Sequence, residues 1–213
     1  MFKSWRIRNF ISDRIKSLCV PALTDEDDEH RGLYQWQQRF LLETKQHIKQ
    51  HASLQRKSLF AQVWTGSGKS LAIALLSLTP WLNPAGAAAN GCILIITPSV
   101  LALENMKNYL GTTTSAKKQQ MYSLLGLSAT EAAQLESACV FGDSIASGSL
   151  ADVLCNGGGL NWIIVLTHQK LIAEFQHTNK RMMSNIELIR SKVMSVIVDE
   201  GDYGTTTSSA SAS

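Results

Sequence analysis

Charged residues are scarce in this 213-residue chain, at 17% against 45% hydrophobic, a globular composition with a lightly charged surface. The formal net charge of +3 is too small to argue for a nucleic-acid partner by itself. Cysteine pairing is also missing. Cys19, Cys92, Cys139 and Cys155 stand far apart with no C-x-x-C spacing, which argues against a zinc site or a disulfide framework. Cys92, at the head of an apolar run, reads as a buried free thiol. The histidines form no ligand set. His47 and His51 share a helix face at i, i+4, but no acidic or cysteine partner is near them in sequence.

Long hydrophobic runs are absent as well. Every apolar stretch is broken by Ser, Thr or Pro before the roughly 18 residues of a membrane-spanning helix, so no membrane partner is expected. Met1–Val20 mixes Lys3, Arg6, Arg8, Arg14 and Lys16 with Phe2, Trp5, Phe10, Ile11, Ile15 and Leu18. No long apolar centre or small-residue cleavage site follows, which excludes a secretory signal, and Asp13 argues against an organelle transit peptide. The expectation is a cytoplasmic protein opening on an accessory amphipathic helix.

The chain is organised around Leu59–Leu76, LFAQVWTGSGKSLAIALL. A short apolar run, a polar glycine turn and a helix-forming apolar run follow one another. The turn Thr65-Gly66-Ser67-Gly68-Lys69-Ser70 reads as a phosphate-binding loop. Gly66 and Gly68 let backbone N–H groups close around an anion with no Cβ in the way. Lys69 supplies a mobile positive charge for the outer phosphates, and the Ser70 hydroxyl is a hard-oxygen ligand for Mg²⁺. A helix starting beneath the phosphates turns its positive dipole end toward them. The pattern G-x-x-x-x-G-K-[ST] is not complete, because Val63 stands where its first glycine belongs. A plain glycine-serine surface loop would leave the apolar runs on both sides without a purpose.

The rest of the chain alternates in a pattern expected for an α/β fold with a parallel sheet. Residues 1–30 are expected to form the amphipathic helix and an acidic linker, Asp25 to Glu29. Residues 31–203 are expected to form the main domain, and 204–213, GTTTSSASAS, a disordered tail. Strands are expected at Leu59–Val63, Cys92–Ile96, Val140–Phe141, Trp162–Leu166 and Val196–Val198. Arg31–Gln38 is expected to lead into a helix to about His51, and further helices are expected over Leu71–Leu82 and Val100–Leu110, across Gln119–Leu127 and Thr130–Ala138, and from Lys170. Ser128-Ala129-Thr130-Glu131 carries a capping signal. In such sheets active residues gather at the carboxyl ends of the strands. The glycine loop, Thr97-Pro98, Thr167 and Asp199-Glu200 all fall at such an end.

A nucleotide loop needs a carboxylate for the metal and a group to orient the attacking water. The apolar run Val196-Ile197-Val198 delivers Asp199 and Glu200 to one sheet edge. Asp199 would hold Mg²⁺ through its water shell, and Glu200 would act as general base on the water that attacks the γ-phosphate.

Together these segments resemble the first RecA-like domain of a superfamily-2 helicase or translocase of the DEAD/DEAH-like group, nearest the motor subunits of type I and type III restriction enzymes. Leu33-Tyr34-Gln35 resembles the adenine-reading glutamine segment, with Gln35 as the match. Thr65–Ser70 resembles motif I. Ile95-Ile96-Thr97-Pro98 resembles motif Ia, and Val165-Leu166-Thr167-His168-Gln169 a later segment; both lie on the nucleic-acid side of the family. Asp199-Glu200-Gly201-Asp202 resembles motif II, with Asp202 coupling ATP state to the strand contact. The resemblance implies a P-loop NTPase with a RecA-like parallel sheet sandwiched by helices. It also implies ATP and Mg²⁺ as cofactors and nucleic acid as partner, DNA before RNA, with other subunits of a restriction or repair complex.

The chain departs from that family after Tyr203. The motif III strand, which lies between the motif I and motif II strands, and the second RecA-like domain with its arginine finger have no counterpart. Such a finger is worth about 10³–10⁵ in rate. The expectation is a truncated member that binds Mg-ATP and hydrolyses it weakly or not at all without a second domain. Two other readings stay open: a P-loop NTPase of another class, such as a kinase or partition ATPase, and a non-catalytic nucleotide-binding remnant or regulator.

Overall fold

The structure, a computed structural model, describes residues 13–15, 17–18, 32–50, 59, 61–63, 66–79, 92–156, 163–176, 187 and 191–199. The expected acidic linker and the serine-rich tail lie outside these residues. The chain falls into two compact units. One comprises Met1–Ala88 with Asn108–Glu136, the other Ala89–Lys107 with Ser137–Ser213.

The second unit is α/β and holds a four-stranded, all-parallel sheet in the order β2-β3-β1-β4. These strands are β1 (Cys92–Thr97), β2 (Cys139–Phe141), β3 (Ile163–Thr167) and β4 (Val193–Val198). The two inner strands, CILIIT and IIVLT, are almost wholly buried. A parallel strand covered on both faces has no solvent side, so its sequence loses the alternation of a half-exposed strand and becomes a continuous apolar run. On one face Cys92 and Leu94 of β1 and Ile164 and Leu166 of β3 pack with Ile145, Leu150 and Leu154. Leu150 and Leu154 belong to helix α6 (Leu150–Asn156), and α7 (His168–Gln176) follows directly on β3. Burial pushes the Cys92 thiol up to about 12, so it behaves as a small apolar side chain. The cover thins at β4, where Val196 and Val198 are 52% and 51% exposed.

The loop before α6 is fastened by a buried carboxylate. Glu174, 3% exposed, accepts from Gly148 N at 3.0 Å and Leu150 N at 3.1 Å, and pairs with Lys170 Nζ at 2.7 Å. Burial pushes this carboxyl up, but the Lys170 bond, the two backbone N–H groups and the Lys170 charge outweigh it, holding the group below its ordinary value.

The first unit is helical in its described residues. It contains α1 (Gln35–Gln50), α2 (Lys69–Ser77), α4 (Ala116–Leu125) and most of α5 (Ala129–Ser137), while α3 (Val100–Leu110) begins in the second unit. Residues 13–15 and 17–18 are also helical, with Ile15 and Leu18 buried. α2 is buried all round from Leu71 to Ser77. At its C-terminal end two hydroxyls turn onto backbone: Ser77 Oγ donates to Ala74 O at 2.8 Å and, just beyond the helix, Thr79 Oγ1 to Leu76 O at 2.7 Å. α4 starts on Ser115, whose Oγ accepts from Lys118 N at 3.0 Å, and ends on Gly126 in the left-handed region. α5 opens on the capping box read from the sequence. Glu131 Oε2 accepts from Ser128 N at 2.8 Å, and Ser128 Oγ accepts from Glu131 N at 3.4 Å.

One expected strand is not formed. Leu59 and residues 61–63 are described, and none of them is in a strand. Extended backbone is stabilised only by a neighbouring ladder, and these residues join none of the four strands. Their exposure agrees: Leu59 is 46% exposed, Ala61 and Gln62 are exposed, and only Val63 is half-buried. Gln62 interrupts the run, so LFAQV offers no continuous apolar face to bury.

Candidate functional site

The glycine loop enters α2 through two left-handed glycines. Gly66 has φ 79° and Gly68 φ 83°, a region that costs a residue with a Cβ roughly 1–2 kcal/mol. At Gly66 a Cβ would meet nothing within 4 Å, so the requirement there is conformational alone. At Gly68 a Cβ would come within 2.7 Å of Gln37 Nε2, so space is short as well. Gly68 is the N-cap of α2, with no side-chain cap and no acidic residue in the first turn. Its carbonyl takes the first helical bonds, from Leu71 N at 3.1 Å and Ala72 N at 3.4 Å. The N-terminus of α2 therefore keeps its positive dipole end without a carboxylate of its own, unlike α5 with Glu131. Lys69 and Ser70 are half-buried in the first turn. Thr65 lies outside the described residues.

α1 is joined to this loop by two side chains that sequence reasoning passed over. Tyr34 caps α1, its carbonyl accepting from Gln37 N at 2.9 Å and Gln38 N at 3.1 Å. Gln37, 1% exposed, completes a capping box: its Oε1 accepts from Tyr34 N at 2.9 Å. The other end of the same amide crosses to the loop, where Nε2 donates to Gly68 O at 2.9 Å. Beside it Trp36 Nε1 donates to Ser67 O at 3.1 Å. Gln35, the expected adenine reader, is exposed at the first position of α1, while Tyr34 is 66% exposed. Tyrosine is not a residue of the Ser/Thr-x-x-Glu/Gln cap signature, so neither this cap bond nor the bonds across to the loop were visible in the sequence.

In the second unit the carboxyl ends of three adjacent strands bring Thr97, Thr167 and Asp199 to one edge. Thr97 and Thr167 face each other in register across β1 and β3. Asp199 extends the β4 ladder by one bond, its N–H donating to Ile96 O at 2.9 Å, and the residue is 7% exposed. Thr97 is fully buried, and its hydroxyl donates to Leu166 O at 3.2 Å. Pro98 is buried behind it. The Thr167 hydroxyl accepts from Lys170 N at 3.1 Å and so caps α7. Ser99 does the same for α3, accepting from Ala102 N at 3.2 Å. Glu200 and Asp202 lie outside the described residues.

Among the described residues no group of three or more His, Cys, Asp or Glu side chains is arranged to hold a metal ion. A hydroxyl such as that of Ser70 is a donor type that suits Mg²⁺, which keeps several of its waters and binds alongside substrate phosphates. No described helix is long and apolar enough to cross a membrane. No protein-family model, curated protein or solved structure matches this chain.

Proposed function

We propose that the chain is a nucleotide-binding protein of the P-loop type, which takes Mg-ATP at the loop before α2 and works with nucleic acid in the manner of a RecA-like helicase or translocase domain. The observation that carries this reading is the entry to α2. Two glycines stand in the left-handed region, the helix start has neither a side-chain cap nor an acid, and Lys69 and Ser70 follow at once. Backbone N–H groups and a helix dipole directed at one place favour an anion with several oxygens.

Each residue has a role in this proposal. The N–H groups of Gly66 to Ser70 cradle the phosphates, and Lys69 neutralises the outer ones. Ser70 would be a ligand of the magnesium, which would supply charge neutralisation to the phosphates; Asp199 is assigned to the metal by the resemblance alone. Glu200 would take the proton of the attacking water. Gln35 would read adenine, and Asp202 would couple nucleotide state to the nucleic acid. Restriction-type or repair-type subunits are proposed partners on the resemblance alone.

A second reading has an observation in its favour. Thr97 and Thr167, with Pro98 the proposed nucleic-acid contacts, already have complete structural duties: one hydroxyl ties β1 to β3 and the other caps α7. Under that reading the chain is a P-loop nucleotide binder without a nucleic-acid partner. Titration of a fluorescent ATP analogue in the presence and absence of single-stranded and duplex DNA separates the two. The motor reading predicts an affinity for nucleotide that changes severalfold with DNA. An affinity that no DNA or RNA alters supports the second reading instead.

A further inference from the structure

Trp36 and Gln37 hold two consecutive loop carbonyls, those of Ser67 and Gly68. In a trans peptide the C=O of one residue and the N–H of the next point in opposite directions, and no described peptide bond is cis. Drawing the Ser67 carbonyl toward the Trp36 indole therefore turns the Gly68 N–H the other way. The Gly68 carbonyl, already turned into α2 by Leu71 N and Ala72 N, is held there by Gln37 as well, which keeps the Lys69 N–H turned the other way. These are the two amides at the uncapped start of α2.

The geometry points to Trp36 and Gln37 as positioning residues, which fix the direction in which the loop presents its Gly68 and Lys69 amides to a polyphosphate. The inference rests on the nucleotide-binding reading of that loop. It gives the α1 segment a task different from reading a base. The substrate part it serves is the phosphate chain, whatever nucleoside is attached. Preorganised donors bind an anion better because their orientation is not lost on release. Gln37 is suited to this by being locked itself: its carbonyl oxygen is held by Tyr34 N and its side chain is 1% exposed. Gly68 is required opposite it, since a Cβ there would press on the same amide nitrogen.

The test uses the full chain and two probes, Mg-ATP and Mg-pyrophosphate, titrated calorimetrically against wild type, Trp36→Phe, Gln37→Glu and Lys69→Ala. Trp36→Phe keeps an aromatic ring beside Phe40 and removes the donor. Gln37→Glu keeps an oxygen for the Tyr34 cap and replaces the donor by an acceptor. The circular-dichroism melt of each variant fixes a temperature at which all are folded. One lost hydrogen bond to the loop is worth about five- to tenfold in affinity, so Trp36→Phe is expected to weaken both probes about tenfold and equally, and Gln37→Glu, which also sets a negative charge near the phosphates, to weaken both by more. The Gly68 and Lys69 amide resonances should also shift in the unliganded variants. Weakening of Mg-ATP with Mg-pyrophosphate unchanged would overturn the inference, because the segment would then act on the nucleoside. Wild-type affinity in both α1 variants, while Lys69→Ala loses binding, would overturn it and leave the loop reading intact. Lys69→Ala binding like wild type would instead remove the loop reading itself.

Discussion

Glu174 shows how much one side chain carries in this fold. Its two oxygens satisfy two backbone N–H groups and one ammonium at the loop before α6. Glu174→Gln keeps the shape but loses the charge and one acceptor position. The expected cost is roughly 2 kcal/mol at pH 7, read from urea denaturation. The pH dependence follows from the carboxyl being held below its ordinary value in the fold. Its stabilisation is complete above the unfolded-state value of about 4.3 and is lost as the pH falls through the lower folded-state value. The gap between wild type and Glu174→Gln should therefore stay constant from pH 7 to 5 and close in more acidic buffer. A gap that instead widens in acid would contradict the assignment. Gln37 and Gln35 make the same point from the other side. Two glutamines two residues apart read alike in sequence, yet one is buried with both ends of its amide occupied and the other is exposed.

At the scale of elements, legibility followed from whether an element's signal is local. β1 and β3 could be read because strands covered on both faces are continuous apolar runs, CILIIT and IIVLT. The start of α5 could be read because Ser128 and Glu131 are three residues apart and their side chains cap the helix locally. LFAQV could not, because a strand is decided by its neighbour and no short run announces whether a ladder awaits it. The connection from α4 to α5 was equally silent. Lys118, 5% exposed, reaches Gly111 O at 2.9 Å and Glu136 Oε1 at 2.7 Å, and the Tyr122 hydroxyl donates to the same carboxylate oxygen at 3.2 Å. Sequence marks Lys118 as a surface lysine; burial makes it the bolt between two helices. Lys118→Met should cost roughly 2–3 kcal/mol, since it leaves the Gly111 carbonyl without its lysine donor and a largely covered carboxylate with no opposite charge. A shift of less than about 0.5 kcal/mol in the urea midpoint free energy would mark the pair as an ordinary surface bridge.

For the whole molecule, the α/β architecture and the all-parallel sheet were legible from alternating runs, and the gathering of Thr97, Thr167 and Asp199 at one sheet edge followed from that topology. The division into two units was not legible, because it depends on which segments pack together rather than on any local composition. The central claim is that the loop before α2 binds a magnesium-bound triphosphate, and calorimetric titration of the folded chain with Mg-ATP, wild type beside Lys69→Ala, tests it most directly. The account predicts saturable binding by wild type and a loss of at least about a hundredfold in Lys69→Ala, the outer phosphates having lost their counter-charge. A well-folded wild type that releases no heat of binding, or a Lys69→Ala chain that binds equally well, would contradict it.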